Sequence, residues 1–167
     1  MRLEATGIRL DLPRGWEGRV RAREPEPFEG SGPTSSVRAA AAERRGRLPV
    51  AVAAANFALP QTLGDFGGGA VEAMRSQDLF LTLFEYGPES VGTPLFRAQG
   101  MPRALRPAEL DPWTLRTPLP GMSGAQRFFT EAGRPFCLYV ALGSHLRRFR
   151  TLPLLSEILR TVEIDPA

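Results

Sequence analysis

The sequence predicts an α+β fold: a single domain with a central, mainly antiparallel sheet, helices packed on its faces and a C-terminal helix. Three observations carry that expectation. Phe136 to Leu142 is an almost unbroken apolar run with aromatic and β-branched members, closed by Gly143 and Ser144, which reads as a strand covered on both faces. A Gly-containing turn at Glu131 to Arg134 joins it to Gln126 to Thr130, so a hairpin is expected over 125–143. After a basic link, Leu152, Leu155, Ile158, Leu159 and Val162 recur at three- and four-residue steps, one face of a helix. Thr151 is the expected N-cap, and Pro153 falls in the expected first turn, where a missing N–H costs nothing.

The remaining elements follow in chain order. Ile8, Leu10 and Leu12 alternate with Arg9 and Asp11 up to Pro13, and Trp16 to Ala22 alternate after the Arg14-Gly15 turn. Together they predict a hairpin over 6–22. Residues 24–47, rich in Pro, Gly, Ser, Glu and Arg, read as a mobile surface loop whose Ala39 to Arg45 run is a marginal helix. Leu48 to Leu59 is mostly small and apolar and is expected to be a central strand. Ala70 to Gln77 reads as a short helix or a further strand, with the Val71–Met74 step weakly favouring helix. Leu79 to Tyr86 is a strand with Leu79, Leu81, Leu83 and Glu85 on one face and Phe80, Thr82, Phe84 and Tyr86 on the other. Residues 87–122, full of Pro and Gly, read as a long loop with short edge strands near 95–97 and 115–119.

Composition narrows the function. The chain has 167 residues, 43% of them hydrophobic, which is enough for one domain with a real core. No run approaches the roughly 18 apolar residues of a membrane helix, and Met1-Arg-Leu-Glu has no apolar signal-peptide core, so a cytoplasmic protein is expected. The single Cys137 cannot form an internal disulfide, in keeping with a reducing compartment. The sequence pI of about 9.9 invites a nucleic-acid reading. However, the net charge is only +3, and all 21 basic residues are arginines dispersed from Arg2 to Arg160, as GC-rich coding would produce.

The absence of Lys excludes a phosphate-loop lysine, a Schiff-base enzyme and a Ser–Lys dyad. One His and one Cys are too few for a Cys/His zinc centre. No catalytic, cofactor-binding or metal-binding residues are therefore expected. Cys137 and His145 would sit about 25 Å apart if the strand between them is extended. Gly67 to Gly69 fits no phosphate-binding motif, Asp65-Phe66-Gly67 lacks every other kinase part, and Glu109 and Asp111 have no further acid or His nearby. Trp16 reads as a seal on the core and Trp113 as either a core cap or an exposed contact. His145, Arg147, Arg148, Phe149 and Arg150 form the one dense basic run. It is either a solvated link or a surface that grips phosphates, a base or an acidic partner.

The opening Ile8-Arg-Leu-Asp-Leu-Pro-Arg-Gly-Trp16 resembles the start of PsbP-like and Mog-type proteins. The ending is similar too: strand 136–142, basic link, helix 152–160 and a closing Thr161-Val-Glu-Ile164 strand. The resemblance implies an antiparallel sheet with helices on its faces and a non-enzymatic role as an assembly factor, lipoprotein module or chaperone-like adaptor; no catalytic residues transfer. The expected function is thus a protein-binding or adaptor module with a protein partner. Trp113, the 101–122 loop and the 145–150 run are its expected surface. The alternative is a phosphate- or nucleic-acid-binding protein using Arg147, Arg148 and Arg150. Pairing of an exposed sheet edge into a homo-oligomer stays open.

Overall fold

A computed structural model describes residues 1–22, 50–64 and 66–166. The expected mobile loop at 24–47 and its alanine helix lie outside the described residues. Among these residues eight strands form two antiparallel sheets. The smaller orders β1 (Arg2–Ala5), β2 (Ile8–Asp11) and β8 (Glu163–Ile164) as β1-β2-β8. The larger contains β3 (Glu17–Ala22), β4 (Val50–Ala55), β5 (Leu79–Glu85), β6 (Ser123–Glu131) and β7 (Arg134–Leu142), in the order β3-β4-β5-β7-β6. Among the described residues one α-helix, α1 (Arg148–Thr161), precedes β8.

This overturns the expected α+β arrangement with helices on the sheet faces. The described chain is mostly β, with one α-helix, at its C-terminal end. The reason lies in the connections. Four of the five short 3₁₀ turns open on a proline (Pro88, Pro94, Pro107, Pro112), which suits a first helical position. None runs beyond three residues, because further Pro and Gly interrupt any longer helix. Loop rather than helix therefore covers one face of the large sheet. Leu59, Leu63, Val71, Leu115 and Met122 lie over Ala53, Phe80, Phe84 and Tyr139. On the other face, Leu81, Leu83, Leu138 and Val140 share a core with Ile8, Leu10 and the α1 residues Leu152, Leu155, Ile158 and Leu159. The two faces of β5 divide as its alternation predicts, and β7 is buried along all nine residues.

Several local expectations are corrected. Residues 6–22 are not a hairpin: β2 pairs with β1 and β8, while β3 pairs with β4 in the other sheet. The actual tight turn is Thr6-Gly7, both left-handed (φ 47° and 75°), which returns the chain onto β1. Pro13 to Trp16 then carries it from one sheet to the other, with Trp16 N–H bonded to Pro13 C=O and its indole buried. Gly18 permits the close crossing that follows, since a Cβ there would fall 2.2 Å from Leu3 Cδ1. The strand expected at Leu48 to Leu59 is Val50–Ala55 and lies next to edge strand β3, with β5 at the centre. Residues 70–77 hold one 3₁₀ turn, Val71–Ala73. Neither 95–97 nor 115–119 is a strand; the loop instead touches β6 through single bridges at Gln99 and Asp111. The helix starts at Arg148 with Arg147 as N-cap, so Pro153 lies inside it and Thr151 is not the cap.

The β6–β7 hairpin matches its expectation. Ala132 and Gly133, at φ 53° and 76°, make the two-residue turn that the right-handed strand twist favours.

Candidate functional site

The candidate site grows from the end of the large sheet where β6 begins and β7 finishes. Ser123 pairs with Leu142 there, and two segments are tied on by backbone bonds. Asp111 exchanges N–H···O bonds of 2.8 and 3.0 Å with Gly124, and His145 N–H donates to Gly121 C=O at 2.7 Å. The structure thus anchors Trp113 and the 145–150 run within four residues of one another on β6 and the loop leading into it. The Asp111 carboxylate accepts the Trp113 N–H at 2.8 Å, which fixes the backbone beneath an indole that is 80% exposed.

The basic run divides into inward and outward members. Arg148 turns in: its Nη1 donates to His145 C=O at 2.9 Å, and its guanidinium lies 4.7 Å from the centroid of the Phe149 ring. His145 is half-buried beside it. Leu146, Arg147, Phe149 and Arg150 are exposed, Leu146 at 86% and Phe149 at 63%. Among the described residues neither the Arg147 nor the Arg150 side chain has a hydrogen bond or ion pair. Leu146 is missing from the residues singled out in the sequence. The sequence signal is absent, because Leu146 precedes the N-cap only when the helix starts at Arg148 rather than after Thr151.

The same stretch starts a helix against local preference. Arg147 is an N-cap with no capping bond, three arginines crowd the first turn and its cap, and no acid is present there. Cations at the positive end of a helix are unfavourable by about 0.3–1 kcal/mol each when close. The other end of α1 follows the rules. Arg103 Nη1 donates to the carbonyls of Leu159 (3.1 Å) and Val162 (2.5 Å), placing a cation where the helix is negative.

The other candidates resolve into structural roles. Cys137 is buried in mid-strand between Phe84 and Phe128, and Gln126 Nε2 donates to its Sγ at 3.5 Å. His145 lies beyond the end of that strand, so the two are not brought together. Gly69 N–H is taken by the Glu72 carboxylate at 2.7 Å, which fills the triple-glycine turn from within the chain. Asp65, of the Asp-Phe-Gly tripeptide, lies outside the described residues. Glu109 and Asp111 diverge. Partial burial acts to raise the Glu109 carboxyl, but the Arg106 N–H and the guanidinium of Arg127 outweigh it and hold it below the usual carboxylate range. Burial pushes the Tyr139 phenol up, so it stays a neutral member of the core. Among the described residues no three His, Cys, Asp or Glu side chains gather as a metal site, and no helix is long and apolar enough to cross a membrane.

One charged pair escaped the sequence altogether. Arg134, 1% exposed, donates from Nε and Nη2 to the two Glu85 oxygens at 2.8 Å each, and from Nη1 to Asp165 C=O at 3.0 Å. It is the bidentate geometry that a buried guanidinium needs. It sits at the opposite end of β7 from His145.

No protein-family model, curated protein or solved structure matches the chain.

Proposed function

We propose that the protein is a non-enzymatic, cytoplasmic protein-binding module, adaptor-like in role, that docks a partner on Leu146, Arg147, Phe149 and Arg150 with Trp113 as a second contact. One observation carries the reading: these residues break the helix-start rules and the burial rule together, at a corner whose backbone is pinned. Sequences depart from local preference mainly where function demands it. Exposed aromatic, Leu and Arg side chains on a fixed scaffold are also the usual makings of an interface centre. Covering Leu146 and Phe149 would contribute about 1.5–3 kcal/mol each, and an exposed arginine pair about 0.2–1 kcal/mol. The apolar pair therefore supplies most of the affinity, and the arginines supply orientation and selection. The resemblance of the chain ends to PsbP-like and Mog-type adaptors supports the same class of role.

The test is capture from native lysate by the full chain and by Leu146→Ser/Phe149→Ser, at low and moderate salt. The reading expects a defined protein retained at moderate salt by the parent chain and lost from the variant. Retention of nucleic acid alone, lost steeply as salt rises, would instead favour the phosphate-binding alternative. Arg148's inward bond to His145 C=O weakens that alternative, since it removes one of the three arginines from the outward set.

A further inference from the structure

We infer that the partner presents an acidic segment with apolar side chains interspersed, docking on the exposed start of α1. The inference rests on the protein-binding reading and adds the chemistry of what binds. Its ground is charge and spacing. From Ala132 to Ser156 the sequence contains no acid, while Arg147 and Arg150 stand exposed and unpaired among the described residues. Some arginines are answered from within, Arg9 by Glu163 and Asp165, Arg127 by Glu109 and Arg134 by Glu85, whereas Arg14, Arg75, Arg97 and Arg160 stand singly, exposed without a side-chain ion pair among the described residues. What distinguishes Arg147 and Arg150 is that they are interleaved with exposed Leu146 and Phe149 across the cap and first turn of α1, so charge and apolar surface meet within five residues.

A partner that buried Leu146 and Phe149 without supplying carboxylates would strand Arg147 and Arg150 at the rim of a drying interface. One that supplied carboxylates without apolar side chains would leave Leu146 and Phe149 in water. An acidic segment is also favoured by the positive end of α1, which no acid of the first turn offsets. A segment alternating Asp or Glu with Leu, Ile or Phe meets all three demands together.

The experiment replaces Leu146 in the full chain by photoreactive benzoylphenylalanine and, as a control, Val91, which is exposed on the loop beside the Glu85–Arg134 end of the sheet. After irradiation in native lysate, mass spectrometry maps the residues joined to each position. The inference expects a cross-link at 146 and not at 91, to a protein segment with net negative charge and at least two large apolar residues. The yield should fall at least tenfold in Arg147→Glu/Arg150→Glu, and fall with salt as exposed pairs are screened. A defined protein cross-linked through a neutral or basic segment, or a yield indifferent to the charge reversal, overturns the acidic partner and leaves protein binding standing. Cross-links to lipid or nucleic acid only, or none, overturn both. A melting curve for each variant that coincides with the parent keeps any loss of yield from being read as unfolding.

Discussion

The two ends of β7 carry arginines in opposite circumstances. At its start, Arg134 is buried, held by both oxygens of Glu85 and by the Asp165 carbonyl. Beyond its end, Arg147 and Arg150 are exposed with no side-chain partner among the described residues, next to two apolar side chains in water. The first arrangement satisfies every demand of a charged group within the chain and therefore serves the fold. The second leaves those demands open, and a surface with open demands can still gain free energy by binding. Arginine content says nothing of the difference; the partners do.

The comparison is most easily broken at the buried end. Arg134→Ala should deprive the buried Glu85 carboxylate of its bidentate guanidinium and cost about 3–5 kcal/mol. Replacing both partners with hydrophobic residues of similar volume, Arg134→Met with Glu85→Leu, should recover most of that loss. Denaturant unfolding of the three proteins measures it. A loss below about 1 kcal/mol for Arg134→Ala would show that water reaches the pair, and the two ends would then differ less than the contrast requires.

A smaller effect is expected where the exposed corner is joined to the sheet. An added Cβ at Gly143 would fall 1.7 Å from the Arg75 carbonyl oxygen, a backbone atom that cannot swing aside. Gly143→Ala should therefore cost about 1–3 kcal/mol, as an overpacked site does. It should also raise amide exchange at His145, whose N–H bond to Gly121 pins the run. Unchanged exchange would mean that the corner is held independently of this contact.

The two ends of the large sheet differ in how far the sequence reveals them. β5, β7 and the apolar stripe of α1 are legible because their periods are local and strong. The division into two sheets is not. Thr6-Gly7 turns the chain onto a four-residue strand too short to show alternation, and the pairing of β2 with β8 spans almost the whole chain. The striped helix implies a helix on one or both faces of the sheet, yet loops rich in Pro and Gly cover the Phe80–Phe84 face. At the site, Trp113 and the 145–150 run stand out by composition. Only the bond from Arg148 to His145 C=O sorts that run into inward and outward residues. The Arg134–Glu85 pair was not legible: Glu85 falls on the same face of β5 as Leu79, Leu81 and Leu83, but nothing local points to Arg134, 49 positions away.

Helix α1 allows the same contrast on a finer scale. Arg103 satisfies carbonyls at its C-terminal end, so Arg103→Ala should destabilise by about 1 kcal/mol, the scale of a helix-end charge and of a hydrogen bond weakened by the exposure of the side chain. A null result in thermal melting would mean that solvent serves those carbonyls equally well.

Arg147 should behave in the opposite sense, with the smallest shift in stability. Its side chain makes no capping bond and its charge sits at the positive helix end, so Arg147→Ser removes an unfavourable interaction and supplies a hydroxyl that can cap. The backbone at Arg147 (φ −87°, ψ 2°) is outside the usual extended cap conformation, which limits the gain to about 0.5 kcal/mol. If the corner exists to bind, this stabilised variant should bind worse: a higher melting temperature together with a lower cross-link yield at position 146. A stability–function trade of that kind is what a residue kept for recognition at the expense of local structure produces. If Arg147→Ser instead lowers the melting temperature, Arg147 contributes to the fold through contacts of its own, and the distinction between the two ends of β7 fails at the residue on which it most depends.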